Sequence, residues 1–399
     1  MRKETAARSG RRGMSGRRGL VALAVLVGAT VALPRGALAA SDTISTVAGG
    51  TGQQTVVCND DYTECHVVIG DGGPATAAFM RLPYGVDAMP DGGYVFTELN
   101  WGRIRRVSAD GTITTIAGGV RTNGFSGDGG PGTEAKLNTP LGVSVQADGG
   151  VLFADSNNHR IRRVAPSGTI TTVAGTGQMG FSGDGGRATA ADLDLPVDVA
   201  ATRDGGFLIA DYGNNRIRRV SPDGTITTVA GTGAEGFSGD GGPATAARMG
   251  FPNGVSATPD GGFLIADYEY NRVRRVSSTG TITTVAGSGG LGQGGFSGDG
   301  GPATSARFDG VSDAVATPDG GLLIVDTGNE RIRRVSPDGT VSTVAGSVGY
   351  PGGFSGDGGL ATLAQLRGPS GVAVTPGGDI LVADTSNNRV RLVDADLHP

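Results

Sequence analysis

The chain has 399 residues, 74 of them glycine, with 5% aromatic residues and a formal charge of −5. So much glycine excludes helical bundles and coiled coils, because glycine in a helix interior costs about 1 kcal/mol relative to alanine, and its clustering excludes a collagen repeat. Hydrophobic residues at 37% suffice for a core, which excludes wholesale disorder.

In chain order, residues 1–39 come first and read as a secretory signal peptide. Eight basic side chains, including Arg11, Arg12, Arg17 and Arg18, precede the apolar run Leu20 to Leu33 and the small-residue site Ala37-Leu38-Ala39. That run has 14 residues, fewer than the roughly 20 a bilayer span needs. The mature chain is therefore expected to be secreted, with no membrane span. The rest, 40–399, is expected to form a single domain with 25 basic against 37 acidic residues. Such an acidic balance argues against nucleic acid as a partner.

Thr43-Ile44-Ser45-Thr46-Val47 follows as a lone strand. Val56-Val57-Cys58 and Cys65-His66-Val67-Val68 then read as a hairpin closed by a Cys58–Cys65 disulfide, as suits an exported protein.

From here the chain repeats. Gly-Asp-Gly-Gly begins at residues 70, 127, 183, 239, 298 and 356, and Arg-(Ile/Val)-Arg-(Arg/Leu)-Val at 103, 160, 216, 272, 331 and 389. The two anchors lie 33 residues apart in every copy, whereas the distance to the next copy varies from 23 to 26. Variable length belongs to exposed loops, so the connection between copies is a surface segment. Each copy offers four short strands separated by turns such as Asp148-Gly149-Gly150, whose residues accept positive φ. Six four-stranded antiparallel meanders predict an all-β fold, a six-bladed β-propeller. The sixth copy stops without its fourth strand, and the strand after residue 42 is expected to supply it, closing the ring and hiding both sheet edges.

The run Gly236-Phe237-Ser238-Gly239-Asp240-Gly241-Gly242-Pro243-Ala244-Thr245, with Gly254-Val255, Ala266-Asp267 and Asn271-Arg272-Val273-Arg274-Arg275-Val276, resembles the NHL-repeat family, in its extracellular bacterial branch. The resemblance covers essentially the whole mature chain. It implies a closed propeller and a scaffold for protein, RNA or ligand, while some resembling propellers are lyases or metal-dependent lactonases.

In a meander the first-to-second and third-to-fourth turns share one side, here short and uniform. The second-to-third loops and the inter-copy connections share the other, where the copies diverge. Aromatic residues concentrate on the variable side: Tyr84, Trp101, Tyr212, Tyr268 and Tyr270, with Glu269 between the last two, are the expected ligand-binding residues. Phe125, Phe181, Phe237, Phe296 and Phe354 recur in phase and are expected to pack between blades. The repeated arginines and the aspartates near them are expected to pair structurally, and each Gly-Asp-Gly-Gly to open a short helix.

Acids interrupt the innermost strand at Asp198 and Asp313, with Asn253 between them on the fourth blade; these three are the candidate Ca²⁺ ligands of an alternative, lactonase-like hydrolase or lyase. Three histidines make a zinc site of the amidating-lyase kind an unsuitable reading, and no serine triad is indicated. The leading expectation is a monomeric binding module for a protein or glycan, without cofactor, with the question of catalysis left open between it and the alternative. A structural cell-surface spacer is the third reading.

Overall fold

A computed structural model describes residues 42–50, 55–58, 65–119, 123–347, 353–395 and 397, with the side chains of 55–58 and 65–68 outside the description. The expected leader, 1–39, lies outside the described residues. Strand propensity and turn chemistry agree along the chain, and the result is six four-stranded antiparallel blades arranged as a propeller. The second blade is typical: Pro140–Val145, Val151–Asp155, Arg160–Val164 and Ile170–Ala174 run from the channel outward. Among the described residues the only helical segments are three-residue 3-10 turns, and none is long and apolar enough to cross a membrane.

Closure follows the expected route. Thr43–Ala48 pairs antiparallel with Arg389–Val393 and becomes the fourth strand of the sixth blade, joined at its far edge by Gly359–Leu360. This strand spares the sheet an exposed row of unpaired backbone groups. Thr55–Cys58 pairs with Cys65–Val68 with Cys58 opposite Cys65, so the expected hairpin is present in the backbone. The disulfide itself concerns side chains outside the described residues.

The second strand of each blade is buried almost throughout, and apolar faces meet between blades. Ile104 and Ala117 of the first blade pack with Phe153, Val164 and Ile170 of the second, and equivalent clusters fill the other junctions. Around the channel the inner strands are stapled in two alternating ways. Asp87, Asp198 and Asp313 of odd blades accept the backbone N–H of Val145, Val255 and Val372 of the next blade at 2.7, 2.8 and 3.1 Å. At the remaining junctions a serine serves: Ser144 accepts from the Ala201 N–H, while Ser256 and Ser370 donate to the carbonyls of Ala314 and Tyr84. The strands approach so closely that a Cβ on Gly142 would sit 1.9 Å from Asp198 Oδ1, which explains why an acid on one blade faces glycine on its neighbour.

Candidate binding face and channel

The arginine strands hold the variable loops in place. The second arginine of each motif reaches the Gly-Asp-Gly-Gly aspartate exactly thirty-four residues earlier: Arg105 with Asp71, Arg162 with Asp128, Arg218 with Asp184, Arg274 with Asp240, Arg333 with Asp299 and Arg391 with Asp357, at 2.5–2.8 Å. That contact gives the constant anchor spacing a physical cause. The same guanidinium meets a buried acid at the end of the second strand, as Arg218 meets Asp211 at 3.4 Å. The expected short helix also forms, with Pro131, Pro243 and Pro302 each at the N-cap of a 3-10 turn. The third arginine pairs with the turn aspartate on the opposite side, as in Arg163 with Asp148 and Arg219 with Asp204. In the sixth blade both partners are replaced together, by Leu392 and Gly377.

The in-phase phenylalanines are placed differently from the expectation. Phe125, Phe181, Phe237, Phe296 and Phe354 remain 36–44% exposed, and each ring lies over two arginines of its own blade, as Phe181 does over Arg216 and Arg218. They are lids on guanidinium groups and not filling between blades. The first copy has Val67-Val68-Ile69 before its glycine motif and so lacks this lid. Trp101 takes the role: its ring stacks on Arg103 at 4.4 Å and on Phe79 at 5.0 Å and is only 4% exposed. Trp101 is therefore a buried support of its loop and does not offer its ring to a ligand.

The remaining expected aromatics do gather on the variable face. A left-handed residue precedes each inner strand, directly in five blades and three residues ahead in the sixth: Leu82, Thr139, Leu195, Phe251, Gly310 and Gly368 all have φ between 46° and 61°. Four of these are not glycine, and each bears the roughly 1–2 kcal/mol that a side chain costs in this conformation. Side chains from the preceding blade hold several of them: Asn388, His159, Asn215 and Asn271 accept the N–H of Leu82, Leu195, Phe251 and Gly310. Tyr212 packs on Phe251 at 5.0 Å, Tyr268 is 36% exposed, and Tyr270 lies 6.2 Å from Phe237 with Glu269 beside it. Tyr84 reaches from the first blade to the fourth, where its hydroxyl donates to Asn253 Oδ1 at 3.2 Å. Its ring thus spans the channel beneath the variable face, and burial raises its phenol above the ordinary tyrosine range.

Below Tyr84 the channel encloses a cavity of about 320 Å³ lined by Asp87, Asp198 and Asp313. Burial pushes Asp87 and Asp313 up to about 6, and burial together with the Asp313 charge pushes Asp198 well above the carboxylate range. The wide mouth lies on the turn side, lined by Met89, Pro90, Arg203, Pro259, Pro318 and Pro376. Asp198 and Asp313 therefore line the same cavity as Asp87, while Asn253 is engaged with Tyr84. Among the described residues no group of three or more His, Cys, Asp or Glu side chains is arranged to hold a metal ion. The sequence reading had no means of finding the left-handed collar at Leu82, Thr139, Leu195 and Phe251, whose only trace is glycine at the matching positions 310 and 368.

Comparison with known proteins agrees with this architecture. Teneurin-1 of Mus musculus is 27% identical over 398 aligned residues, a match that covers 88% of this chain and 13% of the relative. The chain thus spans only a small part of the length of the curated relatives it matches. A Bacteroides thetaiotaomicron protein of unknown function superposes with a TM-score of 0.62 at 18% identity, covering 88% of this chain and 76% of the other. An auxiliary nutrient binding protein from Bacteroides ovatus does so with a TM-score of 0.61 at 14% identity, covering 89% and 77%. The NHL repeat model matches residues 193–220 and 366–391, the segments that carry the Asp211–Arg218 and Asp384–Arg391 pairs. Two segments of this six-bladed propeller thus match the NHL repeat, and the solved structures share its fold.

Proposed function

We propose that this protein is an extracellular binding module that takes a protein or glycan on its variable-loop face. The observation that carries the reading is the collar around Tyr84: Leu82, Leu195 and Phe251 held left-handed at a cost, with Tyr212 and Tyr268 beside them. Backbone strain of this kind persists where surrounding structure enforces it and concentrates at ligand clamps. The turn face offers short Asp-Gly-Gly hairpins in five of the six blades instead. A structural neighbour named as an auxiliary nutrient binding protein accords with this reading. The test is a screen of immobilised glycans and surface proteins with the wild type, a Tyr212→Ala/Tyr268→Ala variant and a turn-face Arg203→Ala variant. Binding should be lost in the first variant and kept in the second; the reverse pattern contradicts the reading.

The second reading, a Ca²⁺-dependent hydrolase or lyase, draws on the presence of Asp198 and Asp313 with Asp87 in the lining of one channel cavity. Calorimetric titration with CaCl₂ tests it. A heat of binding that disappears in Asp198→Asn/Asp313→Asn favours it, and its absence at millimolar metal removes it.

A further inference from the structure

Recurring acids of this fold are answered by an arginine or, in the channel and the third-to-fourth turns, by backbone N–H and hydroxyl groups, so acids left without either stand out against the repeat. Two of them line one cleft. Between the fourth and fifth blades, Tyr268, Glu269, Asn271, Gly292, Gly294, Asp309 and Gly310 enclose a space of about 410 Å³ on the variable face. Neither Glu269 nor Asp309 has an ion pair among the described residues. In the third blade the equivalent acid, Asp194, faces His159 at 3.7 Å, whereas the residue matching His159 beside Asp309 is the neutral Asn271, whose Oδ1 accepts from the Gly310 N–H at 2.6 Å. The nearby cation Arg307 is exposed and spends its guanidinium on the carbonyls of Gln293 and Gly294 at 3.1 and 3.2 Å.

The cleft also departs from the repeat in backbone. Its roof comes from 287–295, within the longest of the inter-copy connections. Gly294 and Gly328 flank Asp309 so tightly that a Cβ on either would lie 2.1 Å from its Oδ1 or 2.7 Å from its Cγ. Glycine on both sides therefore lets this carboxylate reach between two loops. At Gly310 a Cβ would meet the Tyr268 ring at 3.3 Å, so glycine there keeps the ring's edge clear.

We propose that the cleft between the fourth and fifth blades binds a lysine or arginine side chain of a protein partner. Glu269 and Asp309 neutralise the cation, the edge and hydroxyl of Tyr268 line the path of its methylene stem, and the Asn271 side chain completes the lining. The proposal rests on the variable face being the binding face, and it selects a basic protein segment over a glycan.

Saturation-transfer NMR with Nα-acetyl-arginine methylamide and its lysine counterpart tests the assignment, with the citrulline derivative as the uncharged control. The two cationic probes should receive saturation at their side-chain methylenes, the citrulline probe should not, and Glu269→Gln/Asp309→Asn should reduce the signal about fivefold or more. A circular-dichroism melt of that variant shows whether it is folded, and Tyr268→Leu provides a second route to the same loss. Equal response from citrulline, or an unchanged signal in both variants, overturns the proposal. Displacement by CaCl₂, with Ca²⁺ binding that needs the same two acids, overturns it in favour of a metal site. If a partner found by the screen depends on Tyr212 but not on Glu269 or Asp309, the cleft assignment fails while the face stands. If the arginine probe binds in the cleft but no partner depends on Tyr212 or Tyr268, the face reading fails instead.

Discussion

Arg218 illustrates how the fold uses charge. Its guanidinium is fully buried between Asp211, itself buried, and Asp184, which is partly exposed. Replacing it in Arg218→Ala leaves the buried Asp211 carboxylate with the Asp194 N–H and Asn214 amide but without its cation, which costs about 3–5 kcal/mol. Removing the exposed turn pair in Asp204→Ala should cost about 0–1 kcal/mol. Urea denaturation of the two variants checks the contrast, and equal losses would mean that the buried pair is not what holds the loops. The pair with Asp211 was legible in the sequence because an acid and an arginine keep one separation in every copy, with Glu98 in the first; the partnership with Asp184 was not, since an aspartate between glycines reads as a turn residue. The depth of Trp101 was not, since a sequence reports that a ring departs from the repeat but not that the departure compensates for a missing phenylalanine elsewhere.

At the scale of elements, the left-handed residues before the inner strands are the least readable feature. Leucine, threonine and phenylalanine carry no mark of positive φ, and only Gly310 and Gly368 betray the requirement. Leu195→Gly relieves about 1 kcal/mol of conformational cost and gives back a comparable amount through the greater freedom of glycine in the unfolded chain. The urea midpoint should therefore change little, while binding on the variable face falls. A large loss of stability would show that Leu195 packs as a core residue instead. The strands themselves were legible because β-branched runs and glycine turns agree at every copy, Asp-Gly-Gly in five and Gly377-Gly378 in the sixth, and the Cys58–Cys65 hairpin because it interrupts that agreement.

At the scale of the whole molecule, ring closure and the channel acids set stability. Deleting residues 1–48 removes Thr43–Ala48 from the sixth blade and bares Arg389–Val393 as an edge, so the truncated chain should lose the cooperative melt of the full chain and aggregate. The acids act in the other direction. With folded values raised to about 6, Asp87 and Asp313 bind protons more tightly in the folded than in the unfolded chain, where carboxylates titrate near 4. Their contribution is fully present below the unfolded value and is lost as pH rises through about 6. The melting temperature of the wild type relative to Asp313→Asn should accordingly rise on acidification from about pH 7 to about pH 5; an unchanged or falling difference contradicts a protonated channel.

The central claim is that one face binds and the other does not. Hydrogen exchange measured by mass spectrometry on the protein with and without a partner from the screen tests it most directly. Protection should appear in the loops around Leu82, Leu195, Phe251 and Tyr268 and leave the Asp-Gly-Gly turns unchanged. Protection confined to those turns, or to the Pro90, Pro259, Pro318 and Pro376 mouth, would contradict the account.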